Sequence, residues 1–194
     1  MTRVSRSRES IAERRDRRAT VEASSVVLES AARFLEARSR SVAEVRRRLA
    51  GAGYRADLVE GAIERMLELG ILDDEAFARA WVESRDRARP RGERAIRSEL
   101  GLKGVARETI DLVLAARRDG AKDAGAEDPP TSADQAAAER LVARYMRSLA
   151  RVADPRQRRQ RAYALLAGNG FDPDVCRTVA AGMRGDQGRE DERD

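Results

Sequence analysis

The sequence predicts an all-α chain, an elongated array of three tandem three-helix repeats. Three observations lead there. Apolar residues recur at three- and four-residue intervals through most of the 194 residues, the period of a helix face. A helix-ending turn with a central glycine occurs three times in register. Aromatic residues are 4 % of the chain against 41 % apolar, which suits thin layers of Leu, Val, Ile and Ala better than one thick core.

Val26, Val27, Ala31, Phe34 and Leu35 share one face of a first helix. Ser41 followed by Glu44 is a capping box that starts a second, carrying Val45 and Leu49 and stopping at Gly51 and Gly53. Leu58, Val59, Ala62, Ile63, Met66 and Leu67 mark a third, ended at Gly70. The cycle recurs with Phe77, Ala80, Trp81 and Ser84 on a helix that must end before Pro90, because a residue preceding proline avoids the α region. The next helix runs from Gly92 to Leu100, closed near Gly101 and Gly104, and the one after carries Ile110, Val113 and Leu114. In the last cycle Leu141, Val142, Tyr145, Met146 and Leu149 mark the first helix. Asp154-Pro155 and Asp172-Pro173 then open two more, Asp as cap and Pro at the first helical position.

The repeat shows in alignment. Leu49, Gly53 and Tyr54 match Leu100, Gly104 and Val105, and then Leu166, Gly170 and Phe171. Asp57, Glu108 and Asp174 follow three residues later, where a helix dipole favours an acid. Val45, Ile96 and Ala162 precede the glycines by eight. The pairs Ala62/Ile63, Val113/Leu114 and Val179/Ala180 fall in register. Cys176 stands where Val59 and Ile110 stand, a core position. Each glycine is expected to close its helix in the left-handed conformation. The boundaries that follow are a basic unstructured tail over 1–22, repeats over 23–71 and 72–119, a Gly-, acid- and Pro-rich linker over 120–133, a third repeat over 134–184, and an acidic unstructured tail over 185–194. Ser132 with Gln135 can cap the helix after the linker.

Composition narrows the function. There is no His and one Cys, Cys176, which removes His-based catalytic dyads, the usual zinc sites and any internal disulfide. Asp73, Asp74 and Glu75 lack partner ligands and precede a helix, so they read as caps. No cofactor, metal or enzymatic activity is expected. The first ten residues lack the apolar stretch of a signal peptide, and no apolar run approaches a membrane span, so a cytoplasmic monomer without membrane contact is expected.

Charge supplies the candidate site. Thirty-seven of the 39 basic residues are Arg, a bias that codon usage explains and that suits bidentate phosphate contact. Arg85, Arg87, Arg89, Arg91, Arg94, Arg97 and Lys103 surround a Pro-Gly turn and the start of a helix, a place for a phosphate or carboxylate. Arg156, Arg158, Arg159 and Arg161 crowd a helix start, where positive charge opposes the dipole and so adds nothing to helix stability. Arg46, Arg47 and Arg48 read as a solvated helix face.

The run from Leu67 to Trp81, with Ser84-Arg85, Gly92, Ile96, Glu99-Leu100 and Lys103-Gly104-Val105, resembles the central signature of the RecX family. So do Arg38, Arg40 and Ser41 with Glu44-Val45, Leu49 and Gly53-Tyr54. The resemblance covers residues 26 to 184 and is strongest in the middle; the third repeat has Asn169-Gly170 in place of a Lys-Gly pair. It implies a curved array of three-helix repeats that binds RecA and the RecA–single-stranded-DNA filament along its groove. There it limits filament growth and damps strand exchange, ATP hydrolysis and coprotease activity, in DNA repair and the SOS response. The competing expectation is a helical protein that grips DNA directly and acts on RecA by competition.

Overall fold

The computed structural model describes residues 10–120 and 132–183. It holds α1 (Ile11–Ala19), α2 (Ser24–Leu35), α3 (Val42–Ala52), α4 (Ala56–Glu68), α5 (Asp74–Ala88), α6 (Glu93–Leu102), α7 (Arg107–Gly120), α8 (Ala133–Leu149), α9 (Pro155–Gly168) and α10 (Pro173–Gly182), with no strand among the described residues. The helix starts are local chemistry. Ser41 Oγ accepts the Glu44 N–H while Glu44 accepts the Ser41 N–H. Ser132 accepts from Gln135. Asp154 and Asp172 cap α9 and α10, each with Pro next.

The described residues form two compact units. The first runs to Phe77 and includes Lys103–Val105. Its core is Val27, Ala31, Val45, Leu49, Tyr54, Val59, Ala62, Ile63, Met66 and Leu72. The second takes in Ala78–Leu102 and the described residues from Ala106 on. Its α8–α10 core is built from Ala137, Ala138, Leu141, Val142, Leu149, Ala162, Leu166, Phe171, Cys176, Val179 and Ala180, and Ile96, Leu100, Ile110, Val113 and Leu114 are buried as well. Burial of Cys176 pushes its thiol up, and its Sγ faces the Phe171 carbonyl, so it packs as a small apolar residue.

The aligned turn is repeated in three dimensions. Gly53, Gly104 and Gly170 have φ of +99°, +81° and +81°, while Tyr54, Val105 and Phe171 behind them are buried. Leu49, Leu100 and Leu166 are fully buried, as are Val45, Ile96 and Ala162. The turn also docks each repeat on the one before. In the first unit Ser41 Oγ donates to the Lys103 carbonyl at 2.6 Å, and the Val42 N–H donates to Asp74 Oδ1 at 2.9 Å. In the second unit the Gly92 N–H donates to the Asn169 carbonyl at 3.1 Å, and the Glu93 N–H donates to Asp134 Oδ2 at 3.1 Å. The free N–H groups at the starts of α3 and α6 are thus satisfied by the repeat that follows. A Cβ at Gly104 would lie 2.4 Å from that of Ala43, and one at Gly170 2.4 Å from that of Ala95, so the approach needs glycine as much as the backbone angle does.

The tail expected over 1–22 is corrected at α1. Ser10 and Glu13 form a second capping box, a signal present in the sequence but overlooked because no apolar face follows it. The helix buries no residue. It lies instead on the first repeat's turn: Arg18 donates to the Ala52 carbonyl at 3.5 Å and covers the Tyr54 ring at 5.6 Å. Ala52 precedes Gly53 as Lys103 precedes Gly104, so α1 takes the place of a preceding repeat. Residues 1–9, 121–131 and 184–194, which carry the rest of the expected tails and linker, lie outside the described residues.

Four expected core side chains are largely exposed: Val26 (41 %), Leu67 (46 %), Tyr145 (48 %) and Met146 (44 %). Leu67 lies about 90° around α4 from the buried stripe, at 100° per residue. Ala80 is exposed too, and Trp81 half-buried.

Candidate basic interaction surfaces

The expected cluster from Arg85 to Lys103 divides into paired and free residues. Arg85 donates to Glu99 Oε2 at 2.6 Å and stacks on Trp81 at 4.3 Å. Trp81 Nε1 donates to the same carboxylate oxygen at 2.8 Å. Arg91 donates to Asn169 Oδ1 at 2.9 Å and lies 3.5 Å from Glu99. Arg97 bridges Asp111 and Glu93. Lys103, in the first unit, pairs with Glu44 at 3.5 Å and sits by the Phe77 ring. These four arginine and lysine positions bind their own chain. Arg87, Arg89 and Arg94 are exposed, with no ion pair among the described residues.

In α9, Arg158 Nε donates to the Val152 carbonyl at 3.1 Å, which holds it against the turn before the helix. Arg156 and Arg161 are exposed and Arg159 is half-buried; no acid stands in the first turn to neutralise them. The helix is about a turn longer than α3 and α6 (14 residues against 11 and 10). Counted back from the turn glycines, the positions that receive the next repeat at Ser41 and Val42, or at Gly92 and Glu93, fall in α9 on Arg158 and Arg159. Their N–H groups lie inside the helix, where the dock cannot form.

A further set was overlooked. Arg140, Arg144 and Arg147 lie on one face of α8, with Arg151 just past its end, all exposed. Arg144 donates to the carbonyls of Arg87 and Ala88, which joins this face to the end of α5 where Arg87 and Arg89 stand. Spacing of four, three and four residues is the helical signal that could have found it. By contrast Arg117, with a side chain only 6 % exposed, is structural: it pairs with Asp86 at 2.9 Å and Asp134 at 2.6 Å.

Among the described residues no group of three or more His, Cys, Asp or Glu is arranged to hold a metal ion, and no helix is long and apolar enough to cross a membrane. Fold and surface together define a tandem helical-repeat protein whose exposed chemistry is guanidinium.

Comparison with known proteins narrows this class. Three family models match in order: the first three-helix domain of RecX over residues 28–66, the second over 73–114 and the third over 133–179. The chain is 34 % identical to the regulatory protein RecX of Mycobacterium ulcerans, covering 81 % of this chain and 84 % of that protein. It is 34 % identical to that of Mycobacterium tuberculosis, covering 81 % and 86 %. With the RecX of Mycolicibacterium vanbaalenii it shares 41 % identity over 109 residues, 56 % of this chain and 55 % of that one. The crystal structure of RecX from Lactobacillus salivarius has the same fold, with a TM-score of 0.65 at 19 % identity over 83 % of this chain and 96 % of that one. The chain belongs to the RecX family.

Proposed function

We propose that this chain binds RecA and the RecA–single-stranded-DNA filament. It restrains the filament's strand exchange, ATP hydrolysis and coprotease activity in DNA repair and the SOS response, without catalysis of its own. Family membership supports the partner. The observation that carries the surface is the set of arginines in the second unit with no ion pair among the described residues: Arg87 and Arg89 around the end of α5, Arg94 on α6, and Arg156, Arg159 and Arg161 on α9. All but the half-buried Arg159 are exposed, and guanidiniums without acid partners are available to the carboxylates or phosphates of a filament. The test is RecA ATPase on single-stranded DNA with the purified chain titrated in. Inhibition at stoichiometries near or below RecA supports the reading, and an unchanged rate removes it.

The α8 arginine face favours a second reading, direct DNA binding with competition against RecA. A phosphate-dominated binder loses affinity steeply with salt and needs no RecA. A filament binder prefers RecA–DNA to either component.

A further inference from the structure

Arg40 has no acidic partner among the described residues. It lies half-buried with its guanidinium 4.3 Å from the centre of the Phe34 ring. Its Nε is buried without a hydrogen-bond acceptor, the one side-chain polar atom so placed among the described residues. A buried N–H left unmade is costly, and such groups call for a specific explanation. Arg40 lines a cavity of about 260 Å³ whose apolar walls are Leu35, Ile71 and Phe77. The α4–α5 turn at its rim leaves Leu69 and Ile71 each 53 % exposed.

The acid on the wall, Asp73, has one oxygen engaged, accepting the Glu75 and Ala76 N–H groups at 2.8 and 2.9 Å. Its charge disfavours a polyphosphate, which would bring several negative groups into the same small space. The volume is below the roughly 300–1,000 Å³ of a small-molecule pocket and suits one or two amino-acid side chains.

From this geometry we infer that the cavity is a receptor for an acidic–apolar peptide segment of a partner protein. The carboxylate of a Glu or Asp accepts from the two terminal guanidinium N–H groups of Arg40, end-on, in the two-pronged arrangement that arginine favours, beside the buried Nε. The neighbouring Leu, Ile or Met side chain lies on Leu35, Ile71 and Phe77. The Phe34 ring behind Arg40 holds the guanidinium in place before the peptide arrives. The extension of this receptor to the RecA filament rests on the function proposed above; the receptor itself does not.

The test uses the whole labelled chain. Its Arg40 Nε–H resonance is assigned by its loss in Arg40→Gln, and acetyl-Glu-Leu-amide and acetyl-Gln-Leu-amide are titrated separately. The expected result is a shift of the Arg40 Nε–H and the Ile71 methyls, with the acidic peptide binding about tenfold tighter, about 1.4 kcal/mol. Equal affinity for both peptides, no shift at Arg40, or tighter binding of inorganic phosphate overturns the inference. Melting curves of Arg40→Gln and Ile71→Ser confirm folding, and Ile71→Ser is expected to weaken the acidic peptide without moving the Arg40 resonance of the free chain. Binding to the RecA–DNA filament is then compared for wild type and Arg40→Gln, with about a tenfold loss expected. A filament bound equally by both overturns the receptor's role there. A filament bound by neither overturns the RecA reading and leaves the peptide result standing.

Discussion

Arg117 shows how much a single side chain can hold. Its guanidinium joins α7 to Asp86 of α5 and Asp134 of α8, and Asp134 also receives the Glu93 N–H at the start of α6. Replacing Arg117 by Ala leaves Asp134 partly desolvated with no counter-charge and Asp86 with only Arg140, 3.8 Å away, at a cost of about 3–5 kcal/mol, read as a lower urea midpoint. Asp74 makes a different prediction. Burial raises its pKa above the usual carboxylate range, and neighbouring Asp73 and Glu44 add to this, against the Val42 N–H and Arg46. The folded state therefore holds the Asp74 proton more tightly than the unfolded chain does. Its favourable contribution is present below the ordinary Asp pKa and is lost as pH rises through the raised one. Asp74→Asn keeps an acceptor for the Val42 N–H and carries no charge, so its stability relative to wild type should improve across that window. A difference that stays flat from acid to neutral pH contradicts this account.

Elements dock through their turns, so glycine substitutions should sort by place. Gly104→Ala meets both a φ of +81° and the Ala43 side chain, and is expected to cost about 1–3 kcal/mol. Gly51→Ala lies inside α3 with open space around it and is expected to gain about 0.5–1 kcal/mol. Thermal melting of the two variants gives shifts of opposite sign if the turn is the docking element. Helix α1 buries nothing and is held by Arg18. Arg18→Ala should therefore lower stability by no more than about 1 kcal/mol while lowering amide protection within α1. Loss of protection across the α2–α4 core instead would mean that α1 is integral to the first unit.

Across the whole molecule the two groups of arginines differ in their commitments. Arg85, Arg91 and Arg97 are engaged inside the chain, so they are poor probes of binding. Arg87, Arg89 and Arg94 can be replaced together by Ala, as can Arg147, Arg151, Arg156 and Arg161, with little change in melting, because exposed charges contribute about 0–1 kcal/mol. Both variants should raise the concentration for half-maximal RecA inhibition. If the α8–α9 group grips phosphates, the fourfold variant also flattens the salt dependence of single-strand binding by a slope of about 3, near 0.7 per lost contact. Unchanged inhibition by both folded variants would take these surfaces out of the function.

By itself the sequence determined the helices, their caps and the threefold turn. Ser41 with Glu44, Asp154-Pro155, Asp172-Pro173 and the three glycines act over a few residues, and their chemistry is complete within that span. Charge excess on α9 was legible for the same reason. Which arginines remained available was decided only by tertiary structure. Glu99 is 14 residues from Arg85, and Asp86 is 31 from Arg117; composition shows the acids but not the folding path that brings them within 3 Å. The docking of Asp74 on Val42 and the unpaired Arg40 Nε above its cavity are likewise products of packing. Local propensity specifies a helix, whereas the satisfaction of a buried charge depends on which distant group the closed chain places against it.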